Sequence, residues 1–153
     1  MKRIGFIVAA VVMVVFGFVC MSQASSVEDA KAMAEKAAAF WKANGKDKAI
    51  AEFNNSKGQF VKGDLYIVAH DFRGMVLAHG VNATLVGKNL YEQKDPNGGR
   101  YFVKEEIEIA KTKGSGWITY SWANPATKSM QAKKSWVQRI QGEDAFVLCG
   151  VFQ

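Results

Sequence analysis

The sequence predicts an α+β domain with an antiparallel sheet, its elements in the order helix, two strands, helix, three strands. Three observations predict it. Apolar residues recur at three- and four-residue steps from Val27 through Ala30, Ala34 and Ala37 to Trp41, the spacing of one helical face. From Leu65 the period shortens into brief β-rich runs bounded by turn residues,. After Gly114 three such runs follow one another with no helix between them. Strands grouped in this way mark an α+β domain with an antiparallel sheet.

Ahead of the domain, Lys2 and Arg3 precede an apolar run from Ile4 to Val19, and Ser22-Gln23-Ala24 supplies a small-x-small site. This is the layout of a secretory signal peptide, expected to occupy residues 1–24 and to be cleaved after Ala24. The run is short for a bilayer span of about 20 residues. Cys20 follows a bulky valine, which does not suit a lipoprotein signal. Residues 25–153 are therefore expected to form one exported domain, periplasmic or secreted.

Within it, Ser25 and Glu28 have capping-box spacing for the first helix, and Asn44-Gly45 is its stop,. A second short helix is expected over Lys46–Phe53, before the loop Asn54–Gly58. "LYIVAHD" and "MVLAHG" read as a hairpin joined by Asp71-Phe72-Arg73-Gly74,. "GKNLYEQKDPNGGR" is loop-like. Val103, Ile107 and Ala110 share the face of a middle helix that Gly114 closes. "GWITYSWAN", "KKSWVQRI" and "DAFVLCGVF" are the closing strands, with turns at Asn124-Pro125 and Gln141-Gly142.

Composition narrows the function classes. The formal net charge is +6 over 153 residues, a scattered excess with Lys133-Lys134 as its densest spot. Nucleic-acid readers concentrate charge on one face, so that class is excluded. After cleavage Cys149 is the sole cysteine, so no intramolecular disulfide is available. Its apolar run makes it a buried, inert thiol.

The two histidines, His70 and His79, flank the hairpin turn. Alternation puts Tyr66, Val68 and His70 on one face of the first strand, and Met75, Leu77 and His79 on one face of the next. A zinc site needs three or four converging ligands. Asp71 lies opposite His70 in the alternation and can serve its own turn, so the reading is a hairpin and not a metal site. Nothing resembles a Gly-x-Ser-x-Gly elbow.

Taken in order, Asp71-x-x-Gly74, Ala78-His79, Gly87-Lys88-Asn89-Leu90, Asp95-x-x-Gly98, Gly116-Trp117, Tyr120-x-Trp122, Lys133-x-Ser135 and Gly150-Val151 resemble the single Cache domain, type 2. This is a PAS-like extracytoplasmic sensor module of chemoreceptors and histidine kinases. The resemblance runs from about Val27 to Phe152. It implies a PAS-like Cache fold, with a long N-terminal helix packed on a five- or six-stranded antiparallel sheet. It also implies a small pocket for a short-chain carboxylate or a similar small polar molecule. The chain departs from the family's pattern at Gly80, Ala145, Trp136 and Phe152, the last two lacking a tyrosine hydroxyl. It ends at Gln153 with no signalling region after the last strand. The expectation is a free-standing module that hands its ligand state to a membrane chemoreceptor or histidine kinase, with a homodimer as a further candidate assembly.

The resemblance places Lys133 in the pocket, where an ammonium can neutralise a carboxylate; the alternative is a solvated lysine beside Lys134. Tyr120 and Trp122 share a strand face and can wall the pocket or simply pack the core. His79 either donates to the ligand or satisfies a backbone carbonyl. Tyr66 is a weaker candidate from the neighbouring strand, and Tyr101, at the helix start, is placed to close the pocket from above. His70 is not assigned to the site, and Trp117 is assigned to the core. No cofactor is expected. Two rival functions stay open at this point. One is a small enzyme using His79 and Tyr120 as acid and base; the other is an interaction domain whose PAS-like core is filled.

Overall fold

A computed structural model describes residues 25–153, so the signal peptide expected over residues 1–24 lies outside the described residues. Two helices come first, α1 (Val27–Asn44) and α2 (Lys46–Phe53). The cap of α1 falls one residue later than the spacing predicted. Ser26, not Ser25, accepts the backbone N–H of Asp29 at 3.1 Å, and the Asp29 carboxylate accepts the Ser26 N–H at 3.0 Å. A shorter acid closes the box from N3 just as glutamate would. Gly45 ends α1 and starts α2 at φ +82°, a left-handed backbone that favours glycine,.

The strands are β1 (Val61–Lys62), β2 (Leu65–Tyr66), β3 (Val68–Asp71) and β4 (Val76–His79). Helix α3 (Phe102–Thr112) follows, then β5 (Ser115–Ala123), β6 (Met130–Arg139) and β7 (Ala145–Phe152). The run expected to be one strand from Leu65 breaks at Ile67. Its first part pairs with β1 in a two-stranded ribbon, and the rest enters the main sheet. That sheet has five strands in the order β4-β3-β7-β6-β5, every neighbouring pair antiparallel.

Helices cover both faces, giving two separate cores. On one face, Ala30, Ala34 and Ala37 bring α1 close to the sheet, and Trp41, Phe53 and Phe60 fill the space with Val147 and Cys149. On the other, Val103, Ile107 and Ala110 of α3 pack on Ile118, Val137 and Leu148. A bulge in the β3–β4 pair decides which residues of β4 reach which core. Val68 opposes His79 and Ala69 opposes Ala78, but His70 opposes Val76. Leu77 is thus the extra residue of the bulge. The alternation expected for Met75, Leu77 and His79 is corrected: Leu77 packs with Ala78 on the α1 side, while His79 turns to the α3 side.

Candidate functional site

The α3 face of the sheet encloses a small cavity. Lys133, Tyr120, Trp122, His79, His70 and Glu106 contribute its polar and aromatic lining. Val68, Leu90, Phe102 and Leu148 complete it with apolar surface. The space open to the centre of a water molecule is about 20 Å³. That is little more than one ordered water needs, so a small organic acid enters only as the side chains around the cavity give way,.

Register explains why Lys133 points inward. It pairs with Tyr120 on β5 and with Phe152 on β7, in the middle of the sheet. The side chain is 1% exposed. Its ammonium lies 3.8 Å from the centroid of the Tyr66 ring and 5.0 Å from that of Phe152, cation–π contacts that partly replace water. Its neighbour Lys134 turns to the opposite face, toward Trp117 at 5.3 Å. Burial pulls Lys133 down to about 8, so it is still mostly cationic at neutral pH,.

Tyr120 stacks on Phe102 of α3, with centroids 4.6 Å apart and the planes 5° from parallel. Its hydroxyl shares a 3.3 Å hydrogen bond with Ser135. Ser135 in turn sits directly over Gly150 of β7, where a Cβ would fall against the Lys134 carbonyl oxygen at 2.6 Å and against Ser135 itself. Trp122 stands edge-on to both Phe102 and Tyr120. With His79 it lines both this cavity and an outer cleft that also includes Tyr66 and Asn82. Trp122 and His79 are therefore the wall between the buried cavity and the surface.

His79 has a fixed tautomer. Its Nδ1 accepts backbone N–H bonds from Asn82 at 3.1 Å and Val81 at 3.4 Å. Burial, with Lys133 and His70 adding to it, holds the ring down at about 3. The neutral ring then carries its proton on Nε2, which has no partner among the described residues,. The histidine is a hydrogen-bond donor with an unused proton. This also disfavours it as a general base, because its acceptor nitrogen is occupied.

Tyr66 lies beneath the Lys133 ammonium and beside the His79 ring at 5.1 Å. It lines the outer cleft and not the cavity itself. Tyr101, the other sequence-derived candidate that does not line the cavity, is in neither the cavity nor the outer cleft. It precedes α3, half-buried, beneath the Lys104 ammonium at 4.1 Å and near that of Lys94. The helix begins one residue later, so it is Phe102 that turns inward onto Tyr120.

Two residues missed by sequence reasoning complete the lining. His70 is 3% exposed, and burial holds it down at about 4 against the opposing pull of Asp71. Glu106, on α3, is 1% exposed, and burial pushes it up to about 8 despite nearby Lys133. Neither Glu106 oxygen has a hydrogen-bond partner among the described residues. A signal for Glu106 was present: an acid beside Ile107 and three residues after Val103 sits in the apolar stripe of its helix. Among the described residues no group of three or more His, Cys, Asp or Glu side chains is placed to hold a metal ion. The hairpin turn holds Asp71 instead, which accepts the N–H groups of Arg73 and Met75 at 2.9 Å.

A family model for the Cache domain matches residues 24–147. A methyl-accepting chemotaxis protein from Vibrio parahaemolyticus RIMD 2210633 superposes with a TM-score of 0.67 at 25% identity, over 82% of this chain and 86% of that one. The periplasmic sensor domain of a chemotaxis protein gives 0.64 at 24%, over 82% and 89%. A Cache chemosensory domain described for its carboxylic acid recognition gives 0.64 at 24%, over 82% and 87%.

Proposed function

The chain belongs to the Cache domain family, and from that premise we propose that it is a small-molecule sensor module binding a short-chain carboxylate beside Lys133. It acts without catalysis, relaying its ligand state to a membrane chemoreceptor or histidine kinase. We further propose that residues 1–24 are a cleaved signal peptide and that residues 25–153 work in the periplasm or outside the cell.

One observation carries the carboxylate reading. Lys133 is a buried, mostly cationic ammonium that makes no ion pair among the described residues. The one acid on the cavity wall, Glu106, is held mostly neutral at pH 7 by its own burial. A buried charge left unpaired is expensive, and a fitting anion offsets that expense. The carboxylate would take hydrogen bonds from Lys133 Nζ and from the unused His79 Nε2–H, with Tyr120 and Trp122 as walls and Tyr66 supporting the ammonium. The acid–base enzyme is disfavoured by the occupied Nδ1 of His79 and by a Tyr120 hydroxyl that burial holds well above its ordinary value.

The test is a melting-curve screen at pH 7 with acetate, propionate and lactate, using urea and ethylamine as uncharged and cationic controls. At about 100 times the dissociation constant, linkage adds roughly 2.7 kcal/mol. For a domain of this size that amounts to a shift of several degrees. Acids should raise the melting temperature, the controls should not, and Lys133→Met should abolish the effect. Acids that leave the wild-type curve unmoved would defeat the proposal.

A further inference from the structure

A carboxylate held by Lys133 and His79 leaves the other polar wall of the cavity unused. There His70, from β3, meets Glu106, from α3. His70 Nδ1 lies 3.9 Å from Glu106 Oε2, too far for a hydrogen bond. Nδ1 and both carboxyl oxygens are without partners among the described residues. Native interiors seldom bury such atoms without water or ligand to satisfy them. Here both residues border the same cavity as Lys133 and His79, so a bound molecule can reach both walls.

The chemistry of the pair says what kind of group fits between them. Burial keeps His70 neutral and Glu106 predominantly protonated at neutral pH. Together they offer an acidic O–H, a carbonyl oxygen and an imidazole nitrogen. A hydroxyl, which both donates and accepts, can bond to both residues at once. A methyl group can bond to neither and would leave the three atoms unsatisfied. An ammonium would require Glu106 to ionise, burying four charges with Lys133 and the carboxylate where a hydroxyl needs only two, and each buried ion adds desolvation.

We propose that His70 and Glu106 form a hydroxyl-reading subsite, so that the cavity selects a small 2-hydroxy carboxylate. The acid group sits at Lys133 and His79 and the hydroxyl sits between His70 and Glu106. The cavity's small size places the hydroxyl on the carbon next to the carboxylate. This inference rests on the carboxylate reading above and adds the feature that separates one acid from another.

Isothermal titration of the purified protein with lactate, propionate and alanine tests it, since the three share a carbon skeleton and differ in one substituent. A site built to hydrogen-bond a hydroxyl rejects the analogue lacking it, so lactate should bind at least about tenfold tighter than propionate. Glu106→Leu should bring that ratio close to one by weakening lactate and sparing propionate, whereas Glu106→Gln, which keeps a donor and an acceptor, should retain the preference. His70→Phe is the second variant should Glu106→Leu not fold, with the same collapse expected. Propionate binding as tightly as lactate, in a manner lost in Lys133→Met, would overturn the subsite and leave the carboxylate reading standing. Alanine binding tighter than lactate would likewise overturn it. If none of the three binds, both readings fall together.

Discussion

The two faces of the sheet use the same strands to opposite ends. Toward α1 and α2 the interior is alanine, aliphatic side chains and interlocked rings, with Phe53 edge-on to Phe60 at 4.9 Å. Toward α3 the same depth of burial encloses a lysine, a glutamic acid, two histidines and a tyrosine hydroxyl. An interior of the first kind gains stability from its buried apolar surface, with the partnerless Trp41 Nε1–H as its exception,. One of the second kind gives stability up, because desolvated polar groups lack full compensation until something binds. The lesson is a division of labour across one sheet. The α1 face holds the fold together, and the α3 face remains dissatisfied in a way that a ligand can relieve.

The largest expected effect breaks the comparison from its stable side. Phe53 is wholly buried among Phe40, Trp41 and Phe60. Phe53→Ala should cost about 3–5 kcal/mol in denaturant unfolding. Because the ring lies across the sheet from the cavity, ligand affinity of the fraction still folded should be unchanged. Loss of affinity beyond loss of folded protein would show that the two faces are mechanically coupled.

Next comes a packing change on the ligand face that alters no charge. A methyl on Gly150 would collide with Ser135 and with the Lys134 carbonyl oxygen, both on the neighbouring strand. The backbone is not in a left-handed region there, so the penalty is one of close approach. Gly150→Ala should force β6 from β7 and cost about 1–3 kcal/mol. It should also weaken ligand binding, since Lys133 and Tyr120 are aimed by that register. Melting curves with and without lactate separate the two effects.

How much of this contrast was legible in the sequence follows from where each signal resides. Helices α1 and α3 showed through periodicity, because each presents one regular face to one core, whereas β7, central in the sheet and buried on both faces, showed as an unbroken apolar run. The ribbon of β1 and β2 did not show, since strands of two residues have no period, and the β4 bulge broke the alternation that placed Leu77 beside His79. For the site, Lys133, Tyr120, Trp122 and His79 were indicated by the resemblance and line the cavity. Glu106 and His70 were passed over because a charged residue in a helix and a histidine in a hairpin ordinarily face water. The packing of α3 on the sheet shows that they do not, as the place of Glu106 in the apolar stripe of its helix had hinted. Tyr101 was misplaced by a single residue of helix phase.

A third prediction sharpens the comparison through pH, because the buried groups whose shifted titrations fall near neutral pH lie on the α3 face, while the α1 side holds only the Cys149 thiol, pushed up to about 12. The folded histidines titrate at about 3 and 4, below their ordinary 6.5, so the unfolded chain binds protons first and stability rises with pH up to about 6.5,. Glu106 is raised from 4.5 to about 8, so the folded state holds the extra proton and stability falls across that interval. Lys133 is lowered from 10.5 to about 8, so stability rises again above about 8, until the raised Cys149 thiol, protonated in the fold and not in the unfolded chain, offsets that gain above about 9,. The two histidines outweigh Glu106 below 6.5. The ligand-free protein should therefore show a maximum near pH 6.5 and a trough near pH 8, at least about 1 kcal/mol deep, the value of one unit of pKa difference. Glu106→Gln should remove the descent and Lys133→Met the later rise in denaturation profiles. A flat profile would mean that the α3 face is hydrated like a surface.

The smallest expected effect is the most discriminating, because it compares two adjacent lysines on opposite faces of one strand. Lys134 pairs with Val151 and extends over Trp117 on the α1 side, while Lys133 enters the cavity. An exposed cation–π contact contributes at most about 0.5–1 kcal/mol, and the charge is screened by salt within about 8–10 Å. Lys134→Ala should therefore shift stability by roughly 0.5 kcal/mol and leave the affinity for lactate or propionate unchanged. Lys133→Ala removes a charge-assisted bond to a buried anion, a loss of about 1.5–3 kcal/mol, or tenfold or more in affinity. Titrating both variants at low and physiological salt distinguishes a local contact from a diffuse field. If the two substitutions weaken binding equally, and added salt erases both effects, the acid is drawn by the basic strand as a whole and the asymmetry between the faces is not what selects it.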